Sequence, residues 1–169
     1  TSGQASGELT GMKIAYVEID TLLAQYNFCI DLNEGMVKKS ENVRLTLNQK
    51  ARELDKQKQD FQTKYQNNAY LSPERAQQEY NRIAKLEQDL QTLSNKLQSE
   101  LMSENEKNSL QLRDSINAFL KEYNKTKGYS MIISNTGFDN LLYADSIYNI
   151  TKEIVEGLNA RYSSPAPKK

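Results

Sequence analysis

Few residues of this 169-residue chain could do covalent or acid–base chemistry. Histidine is absent and Cys29 is the only cysteine. An intrachain disulfide framework, a Cys/His metal site and any histidine-based triad are therefore excluded. Cys29 lies in Asn27-Phe28-Cys29-Ile30, where a thiol reads as a small buried hydrophobe rather than a reactive group. The other ionisable groups are carboxylates and cations scattered along polar stretches, with no glycine-rich phosphate loop and no CxxC. They read as solubilising residues, so the expectation is a chain that needs no cofactor and is not an enzyme. What remains is contact chemistry, carried by tyrosines, leucines and lysines, and it depends on which elements present them.

Composition limits those elements. Apolar residues make up 37% of the chain, below the ~45–50% of a compact globule. Part of the chain should be extended, or its core completed by association. With 22 basic and 22 acidic residues, no net field draws it toward nucleic acid. No apolar run approaches the roughly 18–20 residues that span a bilayer. The start at Thr1 reads as a processed N-terminus, compatible with a removed secretory signal, and anchoring through a preceding lipid-modified residue stays open.

Residues 1–11 read as a flexible leader and 163–169 as a polar tail. Lys13–Val17 (KIAYV) reads as a strand buried on both faces, and Asp20 can cap a short helix through Tyr26. A loop holding Cys29 should follow. Asp31 and Glu34 are spaced as a capping box, opening a helix that runs to about Gln66, a rod on the order of 50 Å. Its apolar positions, Val43, Leu47, Ala51, Leu54, Phe61 and Tyr65, form a narrow seam at coiled-coil spacing. Ser72-Pro73-Glu74 is a strong start signal after a turn at 67–72. A second helix should run to Lys127 and stop at Gly128. Its seam is interrupted between Leu101 and Leu112, where Asn105 and Asn108 or Ser109 fall. Two rods joined by a short turn must lie antiparallel to hide their seams. Ser130–Ser134 (SMIIS) and Leu141–Ala144 (LLYA) read as a hairpin that joins the first strand. A last helix over about 149–162 carries Ile150, Ile154, Leu158 and Tyr162 on one stripe. The fold class is α+β, mostly α: a small β head with a long antiparallel helical hairpin. Three short strands and one covering helix make a small core, so copies of the head should associate.

KIAYVEIDTLL at the start and YSMIISNTGFDNLLYADSIYNIT near the end, flanking an out-and-back helical pair, resemble the Skp (OmpH) family of periplasmic chaperones for outer-membrane proteins. The resemblance spans about Met12 to Tyr162 and implies a homotrimer. Residues 12–30 and 128–162 would build a barrel-like body, with Ile14, Tyr16, Val17, Met131, Ile132, Ile133, Leu141 and Leu142 as body residues. Residues 31–127 would form a tentacle with its tip at 67–74. The implied activity is ATP-independent holding of unfolded β-barrel precursors in a cavity between tentacles, in the periplasm. The runner-up is a structural coiled-coil scaffold or envelope tether.

A holdase needs many weak contacts, and seam residues not fully used between the helices could supply them: Tyr65, Tyr70, Leu71, Tyr80, Leu86 and Leu93. Tyr70 and Leu71 stand out, since a turn has little else to bury them. The chain departs from the family's basic character. Residues 38–65 carry eight cations against four acids, and 74–127 carry nine of each. Positive charge thus survives only on the outgoing helix, at residues such as Lys50, Lys56 and Lys64. Lipid or lipopolysaccharide contact is in doubt, because that stretch reads equally well as a solvated helix face.

Overall fold

The computed structural model describes residues 11–137 and 140–162. The expected leader, save Gly11, the expected tail and the loop residues Phe138 and Asp139 lie outside the described residues. The element order is β1 (Ile14–Glu18), α1 (Ile19–Gln25), α2 (Asn27–Gln66), α3 (Pro73–Lys127), β2 (Met131–Asn135), a 3-10 turn (Ser146–Tyr148) and α4 (Thr151–Arg161). Among the described residues no helix is long and apolar enough to cross a membrane. The described residues form two compact units: one comprises those up to Asn33 together with those from Ser109, the other Glu34–Asn108.

In the first unit β1 and β2 pair in parallel, Ile14 opposite Met131 through Glu18 opposite Asn135. The ladder opens where the Ser130 N–H donates to the Lys13 carbonyl, 2.7 Å. Gly128, with φ +68°, ends α3 and turns the chain toward the sheet, a backbone that glycine adopts without steric cost. The Asn124 side chain then holds the Tyr129 backbone on both sides, accepting from its N–H at 2.7 Å and donating to its carbonyl at 2.9 Å. Along its other edge β1 meets Asn149, and the Ile150 N–H donates to the Tyr16 carbonyl. β1 is therefore central, which is why Ala15, Tyr16 and Val17 are all buried in succession.

The expected hairpin is corrected here. Among the described residues the sheet has two strands, and Leu141–Ala144 forms no strand. The contribution from this side of the chain comes later, at Asn149. Its carboxamide accepts from Thr151 N–H and Oγ1, and Thr151 Oγ1 accepts from the Glu18 N–H. These bonds attach α4 to the end of β1. The predicted stripe is observed: Ile150, Ile154 and Leu158 are buried, joined by Val155, Leu22, Tyr26, Cys29 and Ile116.

A second correction concerns α2, which begins at Asn27 rather than Asp31, so Cys29 sits in its first turn and not in a loop. The helix start is capped from elsewhere in the unit: Asn159 Oδ1 accepts from the Asn27 N–H at 2.8 Å, while its amide donates to the Gln25 carbonyl. One α4 side chain thus satisfies a donor at the start of α2 and an acceptor at the end of α1. Burial pushes the Cys29 thiol pKa up, opposed by a contact from the Asn33 amide, as expected for a packing residue.

The second unit consists of the α2 and α3 segments on either side of the turn. Lys58 pairs with Glu87, Lys39 with Glu104, and the Phe61 ring packs tilted against Tyr80. As the α2 number rises the α3 number falls, so the segments are antiparallel. The turn closes through the Ala69 N–H on the Lys64 carbonyl, with Asn68 in the left-handed region at φ +52°, a conformation asparagine tolerates. Ser72 caps α3 as expected, its Oγ accepting from the Arg75 N–H. Within 34–108 only Leu54, Ala76 and Ile83 are buried apolar residues among those described. The seam is as narrow as its spacing implies.

Gly157 packs on Phe119: a Cβ built there would overlap the ring. Gly157→Ala should destabilise the protein by about 1–2 kcal/mol, as overpacking outweighs the better helix propensity of alanine. Thermal unfolding checks this. In a Phe119→Leu background the same change should be neutral or stabilising.

Candidate binding surface

The tip of the helical pair is an aromatic cluster. Phe61 lies at its centre, with ring centroids of Tyr65, Tyr70 and Tyr80 at 5.9, 5.6 and 6.2 Å. Phe61 was legible only as a seam residue, and here it organises three of the expected contact residues. The reason is spacing: Phe61 and Tyr65 are four apart on α2, and the antiparallel return brings Tyr80 opposite. Tyr70 is half-buried on this ring rather than free at the turn. Leu71 is 90% exposed, with Tyr65 at 63% and Tyr80 at 57%. A cluster with one face packed and the other in water offers apolar area at little ordering cost, since its side chains are already held.

Further along the same unit an open groove is lined by Lys50, Leu54, Leu86, Leu90 and Leu93, with Glu53, Gln57 and Asp89 on its margin. It brings together three expected site residues, Lys50, Leu86 and Leu93. Leu93 and Lys50 also border a neighbouring groove with Val43, Leu97 and Leu101. The two leucines are half-buried, shared between the seam and the groove. Lys56 and Lys64 are exposed and line neither groove, so the basic residues do not converge.

Two cations near the tip, Arg82 and Lys58, are paired with acids. Arg82 forks onto Glu79 and reaches Gln57. Hydrogen bonding from Arg82 holds the Glu79 carboxyl below its usual range, and the Glu87 carboxylate raises the Lys58 ammonium. These groups are exposed, so the pairs fix side-chain positions more than they stabilise the fold.

The expected body residues divide by exposure. Tyr16 and Val17 are buried in the chain's own first unit, Ile14, Ile132, Ile133 and Leu141 are half-buried, and Met131 and Leu142 are exposed. Sequence reading did not single out three neighbours of Leu142: Tyr143 at 84%, Ile147 at 75% and Tyr148. Together with Leu142 they expose four large apolar side chains in seven residues. The run LLYADSIY carried this signal, but its first four residues were expected in a paired strand.

A family model described as outer membrane protein (OmpH-like) matches residues 13–158. The chain belongs to the OmpH-like family. No curated protein sequence matches it closely enough to count as a relative. A solved structure from Caulobacter crescentus CB15, described provisionally as an outer membrane chaperone (OmpH-like), is similar in fold. It has 12% identity and a TM-score of 0.79, over 96% of this OmpH-like chain and 92% of the other. At that identity the likeness is one of architecture, so surface chemistry must be read from this chain's own side chains.

Removing the Phe61 ring should release the tip while sparing the first unit. In Phe61→Ala, hydrogen exchange should quicken by an order of magnitude or more over 62–80, as local opening becomes easier. Amides at 14–17 and 131–133 should be unchanged.

Proposed function

We propose that this OmpH-like chain is an ATP-independent holdase of the bacterial periplasm. It binds unfolded outer-membrane β-barrel chains in a cavity between the helical pairs of a homotrimer. The observation that carries this reading is the exposure of Tyr65, Leu71 and Tyr80 around a preorganised aromatic tip, in a chain of the OmpH-like family. The leucine grooves beside Lys50 add shallow apolar area further along. Such surfaces suit a partner held by many partial contacts, each on the order of 1–2 kcal/mol at most, since full burial of a large apolar side chain is worth roughly 1.5–3. Weak, dispersed contacts exchange quickly and need no nucleotide to release the client.

Apolar contact, not charge, dominates in this proposal, because Lys58 and Arg82 are paired with Glu87 and Glu79 and Lys50, Lys56 and Lys64 do not converge. Tyr70→Ser with Leu71→Ser should weaken holding of an unfolded β-barrel protein several-fold, measured as client affinity and as suppression of its aggregation. Neutralising Lys50, Lys56 and Lys64 should cost less, and raising salt, which screens over about 8–10 Å, should change affinity little. A larger loss in the lysine variant, mimicked by salt, would reverse that ranking. If the intact protein holds no client, it is a coiled-coil scaffold or envelope tether instead.

A further inference from the structure

We infer that the groove between α1 and α3 in the first unit is a binding site for a small monocarboxylate with an apolar body, held at its anionic end by Arg113. The site is separate from the surfaces proposed to hold clients and does not depend on that reading.

The groove has helical walls. Ile19 and Leu23, one turn apart on α1, form one side, and Leu112 and Ile116, one turn apart on α3, form the floor. Ile116 is buried and the other three are half-buried against the core of the first unit. Their remaining apolar area faces an opening of about 270 Å³, close to the lower end of the range for ligand pockets. The two helices are tied together beside it, because the Tyr26 and Ser115 hydroxyls are hydrogen-bonded at 2.9 Å. A slot held in this way costs little to order when it is occupied.

Ser109, Arg113 and Asn117 complete the lining. Spaced by four, they stand in one exposed row beside the apolar pair of α3, about 12 Å from end to end. None of the three side chains has a hydrogen-bond or ion-pair partner among the described residues, unlike Arg44 and Arg82, which fork onto glutamates of their own helices. A guanidinium with no acid beside it, at the lip of an apolar slot, is complementary to a carboxylate, which can accept two of its N–H bonds. Ser109 and Asn117 flank it as further donors, and one cation matches one negative charge. Both walls are helices, whose backbone N–H and C=O groups are already paired along each helix. An extended peptide would find no ladder there, whereas a short free acid has only its carboxylate to satisfy.

Hydrocinnamate titrated into the full chain, with hydrocinnamamide as the uncharged control, tests this through amide chemical shifts. The acid should shift amides at 19–25 and 109–117 and saturate with a Kd of about 1 mM or tighter. The control should bind roughly tenfold more weakly, for want of the charge-assisted bonds. Arg113→Gln, at an exposed position, should lose about tenfold in affinity for the acid with thermal unfolding unchanged, and Arg113→Lys, which keeps the charge without the fork, should lose less. Leu23→Asn should weaken acid and control alike, which separates the apolar contribution from the charged one. Equal binding of acid and control, binding indifferent to Arg113→Gln, shifts confined to 34–108, or no binding at about 10 mM would each overturn the inference. The last arm is an acetylated tripeptide ending in phenylalanine with a free carboxylate. If it binds through Arg113 more tightly than hydrocinnamate, the occupant is a chain terminus and the free acid is rejected.

Discussion

Everything in this fold depends on β1 lying in the middle of contacts that come from the far end of the chain. Ile14 pairs with Met131, and the Tyr16 carbonyl accepts from Ile150, so both edges of the first strand are filled by residues more than a hundred positions away. Parallel strands cannot be joined by a tight turn. The chain must leave β1, travel and return to the same edge, and α2 and α3 are that excursion. Closing so long a loop costs entropy that grows only slowly with its length. The helical pair can therefore be long without overtaxing the small core, provided that core is dense. Leu22, Ile154 and Leu158, all at 2% exposure or less, supply the density.

The two units consequently differ in kind. Around β1 the side chains interlock: Thr151 bonds Glu18, Asn159 caps α2, Asn124 clamps Tyr129, and Phe119 fills the space that Gly157 leaves. Between Glu34 and Asn108 few apolar residues are buried, and the cross-helix ion pairs, Lys39 with Glu104 and Lys58 with Glu87, are exposed. A seam that thin keeps two helices together but leaves leucine and tyrosine surface on either side of it. Full burial of the seam would leave nothing to offer a partner.

Much of this was legible because it depends on local chemistry. Ser72-Pro73 starts α3 whatever surrounds it, Gly128 ends it, and the four-residue spacing of Ile150, Ile154 and Leu158 marks a buried face. What was not legible depends on distant residues. Asp31 and Glu34 have the spacing of a helix start, yet the helix begins at Asn27 because Asn159, far along the chain, provides the cap. LLYA has the composition of a strand, yet it forms none, and the other edge of β1 is met by Asn149 instead. Tyr70 looked free at a turn, and Phe61, nine residues earlier, half-covers it. In each case the outcome was set by contacts between residues distant in sequence, which local signals do not report.

The aromatic tip shows why the narrow seam and the binding surface are one feature. Phe61 faces Tyr80 across the helical pair, stacks on Tyr65 along its own helix and supports Tyr70 from the turn. A single ring therefore both closes the end of the seam and holds three tyrosines in place. Their remaining area is exposed because the helices meet along a line, which has room for one residue per turn. Beyond that line Leu71 has no partner in the second unit and stands almost fully in water. Apolar area placed so is rigid where it touches Phe61 and unsatisfied where it meets solvent, the combination that lets a surface bind without first being ordered.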